Sequence, residues 1–357
     1  MTVIERCLER GLLPDTVIRA GIRRLLRRRL RDELVRDPEA SAARLERWIR
    51  ECDESPIAVA TDAANAQHYE VPAAFFGLVL GSHRKYSCGL WTSPDASLDD
   101  AEAEMLRRTV ERAGIENGHR VLDLGCGWGS LSLWVAAHFP RCEIVGVSNS
   151  ASQREFILAE ARRRGLTNVR IVTADVNSTA LDAELGRHFD RIVSIEMMEH
   201  TRNWRHLLRR AATWLLPSGR MFVHVFTHRS VGYAFADGGG SDGGDWMARH
   251  FFTGGQMPAD AQMLHFQDDM VVESHWRVSG RHYQRTAEAW LRNLDAQRET
   301  AIDCLREVHG ERAPRMLNLW RVFFMACAEL WGFDGGREWL VSHYLMRPRA
   351  AADRAAD

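Results

Sequence analysis

The chain has 357 residues, a formal net charge of -1 and 45% hydrophobic residues. This size and composition are typical of a globular protein with one large domain or two modest ones. The near-zero net charge argues against nucleic acid as a partner, and we expect neither a signal peptide nor a transmembrane segment. The cysteines are scattered without ligand spacing for zinc, which favours a reduced, cytoplasmic protein without a metal site.

Residues 1–55 are predicted to be helical, and one stretch of them is both amphipathic and basic. Such a helix either packs on the main domain with a solvated arginine face or lies on an anionic membrane surface. Asp32, Glu33 and Asp37 dilute the positive charge, which favours the packed helix. The apolar residues of this helix recur at helical spacing, with arginines between them: Ile18, Ile22, Leu25, Leu26, Leu30 and Leu34.

A further helix is predicted over Leu98–Ala113, just before the main fold begins. We expect residues 1–115 to form a helical cap that covers the cofactor and the substrate, and residues 116–357 to form the core. Within the core, the glycine-rich stretch 232–256 predicts a mobile lid. The stretch 284–336 predicts a helical insertion before the last strand.

From residue 120 onward, predicted strands alternate with predicted helices. This alternation is typical of an α/β fold with a doubly wound, mostly parallel sheet. Because ligands bind at the carboxyl ends of such strands, we expect the residues that follow the strands to form the site. The predicted strands are 121–124, 143–147, 169–173, 189–195, 220–226, 271–278 and 339–346.

The first predicted strand runs into a glycine-rich turn and then into an apolar helical pattern. Gly125, Gly127 and Gly129 let the backbone approach a ligand closely, and the start of the helix offers unpaired N–H groups. Such a turn is also compatible with a tight connection that binds nothing, or with a dinucleotide site. The GxGxG spacing, preceded by Asp123, is the form found in methyltransferases that use S-adenosyl-L-methionine (SAM), where the glycines face its methionine end.

Polar residues follow the second and third strands, where the rest of SAM would lie. Asn149 and Gln153 can hydrogen-bond the ribose hydroxyls, and Asp175 can accept from the adenine amine. Methyltransferases of this type usually carry Asp or Glu after the second strand, and Asn149 could instead be a simple turn residue. SAM carries its own leaving group, so the protein mainly has to align the acceptor with the methyl group and exclude water.

The segment after the fourth strand indicates the acceptor side, because Glu196, Glu199 and His200 lie close together there. One helical turn would place both carboxylates on the same side. Such a cluster can attract a protonated amine, and His200 is the natural base for its proton, since histidine titrates near neutral pH. The alternative is structural, with Glu196 capping a helix and His200 serving the fold alone.

The chain resembles the cyclopropane fatty acid synthase-like branch of class I SAM-dependent methyltransferases, and within it the plant coclaurine and pavine N-methyltransferases. The resemblance covers nearly the whole chain, including regions outside the cofactor fold, and implies a Rossmann-like core. The matching segments are IRRLLRRRL (22–30), HYEVP (68–72), LDLGCGWGSLSL (122–133), VSNSASQREFI (147–157), IEMMEH (195–200), FFTGGQMP (251–258), FQDD (266–269), HWRVSGRHY (275–283) and GREWLVSHYLM (336–346).

The resemblance implies roles for individual residues. It implies that Glu196, Glu199 and His200 line an amine pocket and take part in catalysis. Trp331 and Phe333 would be aromatic walls for a planar amine, in part through cation–π contact. The residues that the resemblance implies as cofactor contacts are Tyr86, Ser87, Asp123, Gly125, Gly127, Asn149, Gln153, Asp175, Val176 and Ile192.

The implied activity is N-methylation of a small aromatic or isoquinoline-like amine by a protein that could form a homodimer. The predicted lid is glycine-rich where the plant enzymes are more acidic, which leaves the exact amine open. The alternative within the same branch is methylene transfer to unsaturated phospholipid acyl chains, with bound bicarbonate as base and the basic helix at a membrane. A third possibility, a cofactor-binding regulator with an inactive acceptor site, is disfavoured by the intact glutamates and histidine.

Overall fold

The structure, a computed structural model, describes residues 3–59, 71–186, 188–235 and 251–350. Most of the predicted lid therefore lies outside the described residues, which include only its two ends, 232–235 and 251–256. Within the described ranges, none of the helices combines the length and the apolar character needed to cross a membrane.

The strands of the described chain are β1 (Arg120–Leu124), β2 (Glu143–Ser148), β3 (Val169–Thr173), β4 (Phe189–Ile195), β5 (Leu215–His228), β6 (Tyr233–Ala234), β7 (Gln256–Met257), β8 (Met270–Val278) and β9 (Trp339–Pro348). A seven-stranded sheet has the order β3-β2-β1-β4-β5-β9-β8, and β6 pairs with β7 in a small second sheet. Strands β1 to β5 run parallel, whereas β9 is antiparallel to both β5 and β8. The predicted Rossmann-like, mostly parallel sheet is confirmed.

The helices, numbered over the described residues, are α1 (Val3–Glu9), α2 (Asp15–Glu33), α3 (Pro38–Asp53), α4 (Ala73–Val79), α5 (Leu98–Ala113), α6 (Ser130–His138), α7 (Ala151–Arg163), α8 (Ala180–Leu185), α9 (Trp204–Trp214), α10 (Gly280–Ala296), α11 (Arg298–His309) and α12 (Ala313–Gly332). The limits of α5 agree with the prediction for a local reason. Ser97 and Asp100 form a reciprocal capping box at its start, and Gly114 ends it in a left-handed conformation with φ of 61°.

Helices cover both faces of the sheet, because successive residues of a strand point to opposite sides. Val121 and Val193 pack in one cluster with side chains of α5 and α6. Their sequence neighbours Leu122 and Ile192 pack in another cluster, with side chains of α3, α8 and α9. The apolar faces of the central strands are therefore filled, and the carboxyl ends of the strands are left for polar residues.

The helical insertion before the last strand is confirmed, and it comprises α10, α11 and α12. Trp320, Phe323 and Phe324 of α12 belong to a buried cluster that also contains Trp128 of the glycine turn and Phe226 of β5. The insertion therefore packs over the end of the sheet at which the site is predicted.

The basic amphipathic helix α2 packs on this insertion. Ile18 is buried, and Arg19 lies 2.7 Å from Glu288 of α10 and 3.1 Å from Glu329 of α12. Arg23 pairs with the same Glu329 at 2.8 Å. The residues of the exposed face include Arg24, Leu25, Arg27 and Arg28. The structure thus has the packed helix with a solvated arginine face that the sequence favours.

Glu329 should matter for stability, because it accepts from two arginines that tie α2 to the insertion. We expect Glu329→Gln to lower the free energy of unfolding by about 1 kcal/mol, measured by urea unfolding. Glu104→Gln is the matched control: its side chain is 18% exposed against 14% for Glu329, but its arginine partners lie on its own helix. A loss under about 0.5 kcal/mol is expected for the control, and equal losses would contradict the interpretation.

Candidate active site

A cavity of about 250 Å³ opens at the carboxyl ends of β1, β2, β3 and β4. Residues at the ends of these strands form its floor, while α10, α12 and the stretch 252–257 cover it. The predicted site residues that line it are Tyr86, Ser87, Asp123, Gly125, Gly127, Asn149, Gln153, Asp175, Val176, Glu196, His200 and Trp331. Residues from distant parts of the sequence therefore meet at the edge of the sheet that the topology predicts.

The glycine turn is tight on one side and open on the other. Gly125, Gly127 and Gly129 all have left-handed backbones, with φ of 85°, 52° and 79°. A Cβ atom on Gly125 would lie 2.5 Å from the Met197 side chain, so this position excludes any side chain. A Cβ atom on Gly127 would meet nothing within 4 Å. The turn can therefore hold a ligand directly against its backbone at Gly127.

Asp123 supplies a buried acceptor beside this turn. Its side chain accepts a hydrogen bond from the Ser132 hydroxyl at 2.7 Å, and burial raises its pKa to about 6. A buried carboxylate of this kind suits an ammonium group such as that of the methionine part of SAM.

Polar groups after β2 and β3 are held in place by hydrogen bonds within the protein. The Ser148 hydroxyl donates to the Gln153 amide oxygen at 2.7 Å, and Asp175 accepts from the Asn177 backbone N–H at 2.7 Å. The Asn177 amide in turn exchanges two hydrogen bonds with the backbone of Ala58, each at 3.0 Å. The N-terminal segment thus reaches the rim of the cavity on the side of Asp175. The glycine turn, Asp123 and these polar groups together fit SAM.

Glu196 is the most constrained residue of the cavity. β4 ends at Ile195, and Glu196 adopts a left-handed φ of 47° with its backbone N–H donating to His224 O at 2.8 Å. Such a conformation is strained in a residue with a side chain and is found mainly at functional sites. It directs the carboxylate into the cavity instead of continuing the strand.

The Glu196 carboxylate is held from three separate elements. Oε1 accepts from the Cys88 backbone N–H at 2.9 Å and lies 3.2 Å from His224 Nε2, and Oε2 accepts from the Tyr283 hydroxyl. Burial raises the pKa of Glu196, whereas the nearby Lys85 ammonium and the hydrogen bonds oppose this rise. The result is a buried carboxylate that is positioned and poised to accept a proton.

Glu199 lies behind Glu196 and not on the cavity wall. It is fully buried, its Oε1 accepts from the Phe226 backbone N–H at 2.6 Å, and its Oε2 has no hydrogen-bond partner among the described residues. Burial and the charge of Glu196 raise the pKa of Glu199 well above its ordinary value. The single helical turn predicted for the two carboxylates is replaced by a left-handed residue and a short 3-10 turn, Met198–His200.

Another part of the cavity wall is aromatic. The His200 ring stacks on Phe252 with centroids 5.3 Å apart, and the Tyr283 ring stacks on Trp331 at 4.7 Å. Phe226 packs 5.4 Å from Trp331 and lines the same wall. These rings surround the Glu196 carboxylate with π faces that can contact a cation.

Besides Glu199, two predicted site residues do not line the cavity. Ile192 sits in the middle of β4, where its side chain belongs to the sheet core and does not line the cavity. Phe333 turns away from Trp331 and packs against Trp339, with ring centroids 5.4 Å apart. Helix α12 ends at Gly332, and the backbone of Phe333 is not helical. The Phe333 side chain therefore does not point in the same direction as that of Trp331.

The sequence did not single out several residues that complete the site. His224 stands in the buried run of β5, and a polar residue within a central strand is a signal that could have identified it. Tyr283 lies in the segment 275–283, which contributes to the family resemblance but was not predicted to hold a site residue. Lys85 is the chain's only lysine, and its buried ammonium donates to Ser87 and to the Cys88 carbonyl.

The parallel sheet, the glycine turn after β1 and the polar groups after β2 and β3 define a class I SAM-dependent methyltransferase. Residues 59–335 match the family described as mycolic acid cyclopropane synthetase. The chain is 36% identical over 347 residues to (S)-coclaurine N-methyltransferase of Thalictrum flavum subsp. glaucum. The aligned region covers 96% of this chain and 94% of the relative. The chain therefore belongs to this family of methyltransferases, and its cofactor is SAM.

A solved structure of coclaurine N-methyltransferase, bound to N-methylheliamine and SAH, matches the fold closely. It has a TM-score of 0.92 at 34% identity and covers 96% of this chain and 98% of that chain. A lipid-modifying relative is more distant. Cyclopropane-fatty-acyl-phospholipid synthase of Escherichia coli (strain K12) is 28% identical over 264 residues, which are 73% of this chain and 62% of the relative.

The open side of the glycine turn allows a direct test of the cofactor site. We expect Gly127→Asp to abolish SAM binding in a calorimetric titration, because the carboxylate would project into the cavity. Gly165→Asp is the matched control, since Gly165 also has a left-handed φ, 69°, and open space around a Cβ atom, but does not line the cavity. Unchanged SAM affinity in Gly127→Asp would refute the placement of the cofactor.

Proposed function

We propose that this enzyme transfers the methyl group of SAM to the nitrogen of a small amine with an aromatic, isoquinoline-like body. The observation that carries the proposal is the Glu196 carboxylate, buried among aromatic rings and directly beside the glycine turn. The names of the relatives support the amine, and the greater distance of the lipid-modifying relative disfavours an acyl chain.

The chemistry begins with the charge of the amine. A secondary amine is mostly protonated at neutral pH and must lose a proton before its lone pair can attack. Glu196 attracts this cation and takes its proton, and a carboxylate with a raised pKa is a better base for the task. When bound, SAM supplies an electrophilic methyl group on a sulfonium leaving group. Trp331, Tyr283 and Phe226 exclude water and hold the cationic product through their π faces.

Glu199 and His200 serve this step in different ways. Glu199 is buried, and burial together with the charge of Glu196 raises its pKa, which favours the protonated form. Its hydrogen bond with the Phe226 N–H fixes the end of β5 against the turn that carries Glu196. His200 lines the cavity, and its imidazole can pass the amine proton from Glu196 toward solvent.

We further propose that the reaction takes place in the cytoplasm. All seven cysteines are free thiols. Several of them are buried, where a disulfide bond would be protected from reduction, and yet none of them is paired. Their free state suits a reducing compartment. A homodimer remains a prediction of the resemblance, and membrane contact by α2 belongs only to the lipid alternative.

A neutral isostere at position 196 tests the proposed base. We expect Glu196→Gln to lower kcat at least about 100-fold on a panel of tetrahydroisoquinolines and aryl-alkyl amines, with SAM affinity within about twofold of wild type. Glu338→Gln is the matched control: Glu338 is equally buried and lies 3.0 Å from His228 Nε2, but outside the cavity. Wild-type turnover by Glu196→Gln would exclude Glu196 as the base.

The burial and raised pKa of Glu199 predict that a negative charge at this position is dispensable. We expect Glu199→Gln to keep most of the turnover, because an amide oxygen can still accept from the Phe226 N–H, while Glu199→Ala loses about tenfold or more. His200→Ala should also lower turnover and leave SAM binding nearly intact. Steady-state rates and calorimetry check these outcomes; a Gln variant as slow as the Ala variant would show that Glu199 acts as a charged group.

A further inference from the structure

Glu196 is the last member of a line of hydrogen-bonded groups that starts near the surface of α5. Arg112 Nη1 lies 2.6 Å from His343 Nδ1, and His343 Nε2 lies 3.0 Å from His224 Nδ1. His224 Nε2 in turn lies 3.2 Å from Glu196 Oε1. His224 and His343 are direct partners in the antiparallel pair of β5 and β9, so the sheet itself sets their spacing. We call these four residues the relay.

The outermost residue decides where each proton of the relay lies. An arginine guanidinium has only N–H donors, so His343 Nδ1 must accept. A neutral imidazole carries one proton, which in His343 then lies on Nε2 and is donated to His224 Nδ1. The proton of His224 is consequently on its own Nε2, from which it is donated to Glu196.

Burial keeps both imidazoles neutral. His224 and His343 are fully buried, and the loss of solvation, together with the nearby cations Arg112 and Lys85, holds both histidine pKa values well below the ordinary value. A protonated His343 would also turn a second N–H toward Arg112 and set two donors against each other. The relay therefore has a single polarity at neutral pH.

We propose that Arg112 and His343 are positioning residues, which fix the hydrogen-bond polarity of His224 and so keep the Glu196 carboxylate in its charged, proton-accepting form. This inference rests on the proposed function, in which Glu196 takes the proton of the amine. With this polarity, the carboxylate receives donors from Cys88, His224 and Tyr283. With the opposite polarity, the lone pair of His224 Nε2 would face Glu196 and repel its negative charge.

The relay offers no outward path for a proton. Arg112 has no lone pair, so a proton taken up by Glu196 cannot leave along it. Methylation of a protonated secondary amine breaks one N–H bond and the S–CH3 bond of the sulfonium, forms one N–C bond, and leaves a thioether and a cationic product with one N–H. One proton is therefore released per turnover, and it must leave through the cavity, past His200.

Other ionisable groups act on Glu196 and His343, and the variants at positions 343 and 112 must leave them unchanged. None of them is altered in the variants at positions 343 and 112. The groups that act on Glu196 are Lys85, Cys88, Glu199, Tyr283 and Cys327, and those that act on His343 besides Arg112 are Arg108, Lys85 and His224.

The test uses full-length protein with 13C in the glutamate carboxyls and 15N in the histidine rings, followed by NMR across a pH titration. His343→Phe removes both ring nitrogens, whereas His343→Gln can accept from Arg112 with its oxygen and donate to His224 with its nitrogen. Arg112→Met removes the outer donor, together with the cation–π contact of the guanidinium with the Trp276 ring at 4.8 Å, at a half-buried position. Arg108→Met is the matched control, with the same charge change one turn earlier on α5. Glu196→Gln identifies the Glu196 signal.

We expect both wild-type imidazoles to be protonated on Nε2. The titration midpoint of the Glu196 carboxyl should rise by about one pH unit in His343→Phe, because this shift corresponds to the loss of one hydrogen bond to a charged group. The midpoint should rise in Arg112→Met as well. It should stay at the wild-type value in His343→Gln and Arg108→Met. The pH at which turnover falls off on the acid side should shift together with this midpoint, since protonated Glu196 cannot take the amine proton.

Wild-type imidazoles protonated on Nδ1, or cationic, would overturn the relay. A Glu196 midpoint that is the same in all variants would overturn its positioning role. If the wild-type protein methylates no amine, the proposed function fails, but the NMR measurements still decide whether the relay sets the charge of Glu196.

Discussion

The site depends on one constraint, which is that a carboxylate buried among aromatic rings loses its charge unless hydrogen-bond donors compensate for the lost water. Glu196 meets this constraint with the Cys88 N–H, His224 and the Tyr283 hydroxyl. β4 ends beside β5, and α10 returns over the same edge of the sheet, so the fold brings these groups together. The left-handed backbone of Glu196 is the local strain that turns its side chain into the cavity.

The same arrangement distinguishes amine chemistry from lipid chemistry. A protonated amine needs a fixed negative charge to bind it, a base to deprotonate it and apolar surroundings that hold a cation. In the proposed reaction, Glu196 combines the first two roles, and the rings of Tyr283, Trp331 and Phe226 provide the third. α2 is tied to the helical insertion through Arg19 and Glu329, and it thereby supports the roof of this cavity.

Much of the fold was predictable because it follows from local patterns. Alternating apolar strands and amphipathic helices predicted the sheet, and an amphipathic pattern predicted α5, whose limits its capping residues fix. The site was predictable where its residues directly follow strands, as with Asp175 and Glu196. Contacts that depend on tertiary packing were not: strand register places His343 opposite His224, and the turn at the end of α12 sends Phe333 away from the cavity. Neither feature has a local signal in the sequence.

The central claim is methyl transfer to nitrogen, and SAM with a fully deuterated methyl group tests it most directly. N-methylation and cyclopropane formation each add one CH2 to a neutral product, so an ordinary mass shift does not separate them. The enzyme would be given labelled SAM with the amine panel in one tube and with unsaturated phospholipid in another. We predict an amine product that retains all three deuterium atoms. An acyl-chain product that retains two would contradict the account and assign the cavity to methylene transfer.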